Sequence, residues 1–173
     1  VSDLKSPSQS DDAPQTIDDS KAQELALRRR AMDYLARREH SRFELRNKLS
    51  EKAADVDVAL IDLVLDRLVA NGLLSDERFA ESYVQSRINR GYGPVYIRYQ
   101  LRQRRVEAEL IDGMLDCNDQ IWLHRLEELI RRKSGSTSLP LRGSPPWQKL
   151  QRFILSRGFT TQQFLQLRTR VVP

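Results

Sequence analysis

Three short segments of this 173-residue chain echo one another at nearly constant spacing. Residues 44–49 read ELRNKL, residues 96–101 read YIRYQL, and residues 149–154 read KLQRFI. Each carries two apolar residues four apart: Leu45 and Leu49, Ile97 and Leu101, Leu150 and Ile154. Residues four apart share one face of an α-helix. The first members of the pairs are separated by 52 and then 53 residues. A period near fifty, with the order of elements kept, is the mark of a tandem repeat. A unit that small cannot bury its apolar face well alone, so neighbouring units must share core surface. The conservative alternative is a single irregular helical bundle whose amphipathic segments resemble each other by chance.

Helix signals around these segments repeat too. In the first cycle a helical pattern over 21–39 turns Leu25, Met32 and Leu35 inward. Ser41 and Glu44 form a capping box that opens the middle helix. Leu60, Ile61, Val64, Leu65 and Leu68 mark a third helix over 57–70, ended by Asn71-Gly72. In the second cycle Asp76 is the expected N-cap of a helix to Asn89, with Phe79, Tyr83 and Val84 inside. Gly91-Tyr92-Gly93-Pro94 is a turn, and Pro94 suits the first position of the helix that follows. A shorter helix over 107–116 presents Leu110, Ile111, Met114 and Leu115. The third cycle has Trp122, Leu126, Leu129 and Ile130 on one stripe over 119–133, then a loop over 134–144. Ser144-Pro145-Pro146 opens its middle helix, and Thr160 with Gln163 caps a last helix to about Arg170. The expected fold is all-α. It has three tandem three-helix repeats, at 21–71, 72–118 and 119–173, in an elongated, curved arrangement. A disordered acidic leader over 1–20, rich in Ser, Asp and Pro, precedes them.

Charge is unevenly spread. Residues 1–20 set five aspartates against Lys5, so the remainder of a chain with net charge +5 carries +9. A basic body points to an anionic partner: nucleic acid, an anionic membrane surface or an acidic protein. No apolar run approaches the roughly 20 residues that cross a bilayer. Cys117 is the only cysteine, which excludes an intramolecular disulfide and a multi-cysteine zinc site. A soluble cytoplasmic protein is expected.

Chemistry-bearing motifs are scarce. His40 precedes a capping serine, and His124 sits in a helix beside Trp122 and Arg125. The chain has no Walker phosphate loop, no G-x-S-x-G elbow and no H-E-x-x-H pair. The Gly-Tyr-Gly-Pro turn does not follow a strand, so it is a poor phosphate loop. An enzyme is not expected, nor a cofactor or metal. Trp122 and Trp147 read as core. The basic residues offer more. Arg98, Arg102 and Arg105 share one stripe, beside the apolar stripe of Ile97 and Leu101. Arg42 and Arg46 lie together on the first middle helix, and Arg152 and Arg157 on or near the third. Arg87, Arg90, Tyr92, Tyr96 and Tyr99 interleave around the glycine turn. Such mixtures can stack on bases or anchor a protein interface. The plain reading is a set of amphipathic helices solvated on their arginine sides.

Several motifs together carry a resemblance. They are His40-Ser41-x-x-Glu44-Leu45-Arg46-x-Lys48-Leu49, then Gly72-x-Leu74-x-Asp76-x-Arg78-Phe79. Ser86-Arg87-x-x-x-Gly91-Tyr92-Gly93-Pro94-x-x-Ile97-Arg98-x-x-Leu101 follows, and Lys149-x-Gln151-Arg152-Phe153-Ile154-x-x-Arg157-Gly158-Phe159 closes the set. In this order and spacing the chain resembles the RecX family of regulators of the RecA recombinase, over about residues 25–170. A monomeric protein is expected. The resemblance implies an all-α protein of three-helix tandem repeats. It implies binding to RecA and lodging in the groove of the RecA–DNA filament. Inhibition of ATP hydrolysis, strand exchange and repressor cleavage would follow, in homologous recombination, DNA repair and the SOS response. It also implies weaker, non-specific DNA binding. The arginines named above, with Tyr92 and Tyr96, are then candidate contacts to RecA or DNA. Two positions depart from the family pattern: Tyr96 stands at a position often basic, and Arg105 where glycine commonly follows the helix. Arg46 and Arg98 correspond between repeats, but Gln151 takes that place in the third, which points to the central repeat as the binding face. The competing expectation is a stand-alone basic helical DNA-binding protein.

Overall fold

The computed structural model describes residues 13–53, 55–115, 120–135 and 139–171. Among them are nine α-helices and no strand. The first triplet is α1 (Ala13–Leu35), α2 (Arg42–Lys52) and α3 (Val58–Ala70). The second is α4 (Asp76–Asn89), α5 (Pro94–Gln103) and α6 (Ala108–Met114). The third is α7 (Gln120–Ser134), α8 (Pro145–Ser156) and α9 (Thr161–Val171). Helices of a triplet pack on one another. The chain forms two compact units, residues 1–74 and 75–173.

The first unit is built on Leu27, Ala31, Leu45, Leu49, Ile61, Val64, Leu65, Leu68 and Leu74. Ser41 caps α2 by accepting from Glu44 N–H at 3.1 Å. Asp57 caps α3 by accepting from Ala59 N–H at 2.9 Å. Gly72, at φ 67°, takes the left-handed position that ends α3.

In the second unit the second and third triplets share one core. Phe79, Ile97, Leu101 and Ile111 join Trp122, Leu126, Trp147, Ile154, Phe159 and Phe164 in it. Trp147 stacks on Phe164 with ring centroids 4.4 Å apart. Both tryptophans are core residues, as their setting in apolar stripes indicates. The capping box of α9 is reciprocal: Gln163 N–H donates to Thr160 Oγ1 at 3.0 Å, and Thr160 N–H donates to Gln163 Oε1 at 2.9 Å.

Three expectations need correction. Residues 1–12 of the expected leader lie outside the described residues, but residues 13–20 belong to α1. Pro14 falls in the first turn, where a missing N–H costs no bond, and helix-tolerant residues follow it. The inner face of α1 is Leu27 and Ala31, not Leu25 and Met32: Leu25 is 67% exposed and Leu27 2%. The N-cap of α4 is Ser75, whose Oγ accepts from Arg78 N–H at 3.2 Å, and Asp76 is the first helical residue. There its charge still suits the positive end of the helix dipole. Cys117 lies outside the described residues.

Candidate functional site

The Gly-Tyr-Gly-Pro turn is a joint between the second and third triplets. Gly93 N–H donates to Arg157 C=O at 2.7 Å, and Val95 N–H donates to Gly158 C=O at 3.0 Å. Pro94, between them, has no N–H to place. Two amides at the start of α5 are thus satisfied by the two carbonyls that directly follow α8, so the N-terminal end of one helix meets the C-terminal end of the other. The approach leaves no room for side chains. A Cβ on Gly93 would lie 2.5 Å from Gly158 O, and a Cβ on Gly158, which has φ 84°, would overlap Tyr96. The turn's amides are already engaged, Gly91 and Tyr92 donating to the Ile88 and Arg87 carbonyls at the end of α4 and Gly93 to the Arg157 carbonyl, so they are not turned to a phosphate.

Around this joint runs a ladder of cations and rings. Arg104 and Arg87 flank the Tyr83 ring at 4.8 and 4.6 Å from its centroid. Arg87 also faces Tyr92 at 5.9 Å, and Arg157 lies over Tyr92 at 5.0 Å and over Phe153 at 5.3 Å. Lys133 closes the series 4.0 Å from Phe153. Tyr92 stacks on Tyr96 with centroids 4.3 Å apart. The Nε of Arg87 is buried without a hydrogen-bond partner, so ring faces rather than acceptors hold that guanidinium. Each such contact contributes about 0.5–2 kcal/mol depending on desolvation.

Of the arginines singled out in the sequence, Arg42 and Arg46 sit in the first unit. Both reach acidic residues of α3. Arg42 pairs with Asp66 at 2.7 Å, and Arg46 grips Asp62 in a bidentate contact at 2.7 and 3.1 Å. The hydrogen bond from Arg46 holds the Asp62 carboxyl below the usual carboxylate range. In the second unit Arg98 bonds Asp112 and donates to Leu115 C=O at 2.7 Å, which caps the end of α6. Arg87, Tyr92, Tyr96 and Arg157 are gathered at the joint. Arg90, Arg102, Arg105 and Arg152 are exposed. Arg105 holds φ 57° just past α5, the position where the sequence lacks a glycine.

Charge divides between the units. Residues 1–74 hold twelve basic and fourteen acidic side chains, a net of −2, and residues 75–173 hold seventeen and ten, a net of +7. Between Glu81 and Glu107 there are six arginines and no acidic residue. A cleft of about 210 Å³ opens between Ile88 and Gly91 on one side and Arg125, Leu129 and Arg132 of α7 on the other. Glu128 beside it bonds Arg125 at 3.1 Å, and that bond holds its carboxyl below the ordinary range.

Tyr83, Arg104, Phe153 and Lys133 complete the ladder and were not among the sequence candidates. Their ring contacts stay within a triplet: Tyr83 with Arg87 and Phe153 with Arg157 are i, i+4 pairs, a local signal that could have found them, whereas Arg104 reaches Tyr83 and Lys133 reaches Phe153 from another segment of the same triplet. Among the described residues, no group of three or more His, Cys, Asp or Glu side chains is placed to hold a metal ion. No helix among them is long and apolar enough to cross a membrane.

Models of two RecX domains match the chain. The first three-helix domain matches residues 28–68, within α1–α3, and the second matches residues 75–115, spanning α4–α6. Regulatory protein RecX of Pseudomonas entomophila is 42% identical over 145 residues, covering 83% of this chain and 90% of that protein. Its counterpart in Pseudomonas syringae pv. tomato is 46% identical over 136 residues, covering 78% and 84%. A crystal structure of a regulatory protein RecX shares the fold with a TM-score of 0.73 at 24% identity, covering 96% of this chain and 81% of that one. RecX from Lactobacillus salivarius does so with a TM-score of 0.68 at 21% identity, covering 87% and 97%. The chain belongs to the RecX family of regulatory proteins.

Proposed function

We propose that this protein is a non-enzymatic regulator that binds the RecA recombinase and the groove of the RecA–DNA filament. Bound there, it lowers ATP hydrolysis, strand exchange and RecA-stimulated repressor cleavage. The observation that carries this reading is family membership over most of the chain, since the relatives bear the name regulatory. The charge partition supports it and directs it to the second unit, whose surplus of +7 suits an anionic partner. Arg90, Arg102 and Arg152 lie outward, while Arg42, Arg46 and Arg98 serve contacts within the fold. Contact with several protomers at once would raise avidity without one large interface. The test measures RecA's DNA-dependent ATPase and filament length together as the protein is added. Reduced turnover at or below equimolar protein is expected, and unchanged turnover and length would sink the reading.

The same surplus favours a second reading, a stand-alone DNA-binding protein. Phosphate-dominated binding weakens steeply with salt and shows little sequence preference. A salt-resistant RecA complex alongside weak binding to naked DNA would go against it.

A further inference from the structure

The three tyrosines interleaved with arginines around the glycine turn do not share one fate. Tyr92 and Tyr96 are half-buried and stacked at the joint. Tyr99 is 58% exposed on α5. One turn before it Val95 is 47% exposed, and three residues after it Arg102 is exposed. Positions 95, 99 and 102 stand at i, i+4 and i+7 and so form one outward stripe.

The repeat does not require this stripe. The corresponding residues are Phe43, Asn47 and Ser50 in the first triplet, and Gln148, Arg152 and Leu155 in the third. The inward pair recurs in all three triplets as Leu45/Leu49, Ile97/Leu101 and Leu150/Ile154, because each triplet needs it for its core. An exposed aliphatic–aromatic–arginine stripe appears only on the middle helix of the second triplet. Packing therefore does not account for it.

The helix that bears the stripe is fixed at both ends. Its first N–H groups are held by Arg157 and Gly158. Arg98, on its flank, ties it to Asp112 and to Leu115 of the α6 end. Near its end Arg104 donates to Gln100 C=O at 2.7 Å. A stripe on a helix held this way loses little conformational freedom on binding.

We infer that Val95, Tyr99 and Arg102 form a docking stripe for an acidic protein surface with an apolar depression. Resting on the RecA-regulator reading, that surface belongs to a RecA protomer. Charge complementarity fixes the sign of the partner: the chain between Glu81 and Glu107 holds six arginines and no acid. Val95 decides between protein and nucleic acid. A branched aliphatic side chain neither bonds a phosphate nor stacks on a base, but it fills an apolar pocket beside a tyrosine anchor. Tyrosine and arginine are the residues that dominate protein interfaces.

The test uses the full chain with two uncharged changes, Tyr99→Ala and Val95→Ser. Co-sedimentation with RecA filaments reads one affinity, and fluorescence anisotropy with naked single-stranded DNA reads the other. Tyr99→Ala lowers RecA affinity about tenfold or more and Val95→Ser by a smaller factor, with DNA affinity and melting temperature unchanged. Wild-type-like RecA binding by both variants overturns the inference and leaves the regulator reading standing. A fall in DNA affinity also overturns it and makes the stripe a nucleic-acid surface. Failure of the unaltered protein to bind RecA overturns the regulator reading, and this inference with it. Should Tyr99→Ala fold poorly, Val95→Ser and Tyr99→Phe decide: the first weakens RecA binding and the second retains it, and the reverse overturns the inference.

Discussion

Arg46 of α2 grips Asp62 of α3 through two hydrogen bonds, and one triplet later Arg98 of α5 reaches Asp112 of α6 from the same place. The equivalence follows from the helix starts. Ile61 N–H bonds Asp57 C=O, Ile111 N–H bonds Glu107 C=O, and Phe164 N–H bonds Thr160 C=O. Asp62, Asp112 and Leu165 are therefore homologous positions, each one residue further on. In the third triplet Gln151 and Leu165 replace the ion pair. A guanidinium that looks like a free binding group in the sequence is thus a strut between the second and third helices of its triplet.

Arg98 and Arg102 should accordingly separate. Arg98 is 23% exposed in its side chain and also caps the Leu115 carbonyl, so Arg98→Ala should cost about 2 kcal/mol of stability. Arg102 is exposed, and Arg102→Ala should stay within about 0.5 kcal/mol. Urea denaturation of both variants checks this. Equal stabilities would remove the strut role.

Two glycines make a sharper contrast. At Gly158 a Cβ meets Tyr96 and φ is 84°, so Gly158→Ala should cost about 3 kcal/mol or more. Because the joint serves both triplets of the second unit, the loss should appear across α4–α9 in hydrogen exchange. Gly113 lies inside α6 with nothing within 4 Å of its Cβ position. Gly113→Ala should raise stability by about 0.5–1 kcal/mol. A mild effect at Gly158 would show that the backbone contact can relax.

Much of the architecture was legible because each helix carries its own punctuation. Ser41, Asp57, Gly72, Ser144 and Thr160 mark ends that the structure keeps. The face of α1 was misread for a physical reason. Its sequence holds two apolar stripes, and the one with the larger residues, Leu25 and Met32, looks the better core. The structure buries Leu27 and Ala31 instead, where the small alanine permits close approach. The joint was illegible: nothing local to Gly93 or Gly158 says that they meet. Leu27→Asp should unfold the first unit, while Leu25→Asp should shift stability by about 0.5 kcal/mol or less. Circular dichroism melts would decide, and a large loss at Leu25 would restore the other face.

His40 gives the first unit a pH dependence. Its side chain is 2% exposed, its Nδ1–H donates to Arg38 C=O at 3.0 Å, and Nε2 is buried without a partner. Burial first, and then the Arg38 charge, lowers its pKa below the ordinary 6.5. Lys48 acts in the same direction, whereas the Arg38 carbonyl and Glu44 oppose it. Above that ordinary value the ring is neutral folded and unfolded, and no penalty arises. As the pH falls below it, the unfolded chain takes up the proton first, so stability declines until the folded pKa is passed. Denaturant midpoints for the first unit should therefore drop as the pH falls below His40's ordinary value of 6.5, and His40→Gln should flatten that slope at some cost in stability. An unchanged slope in the variant would assign the dependence to other groups.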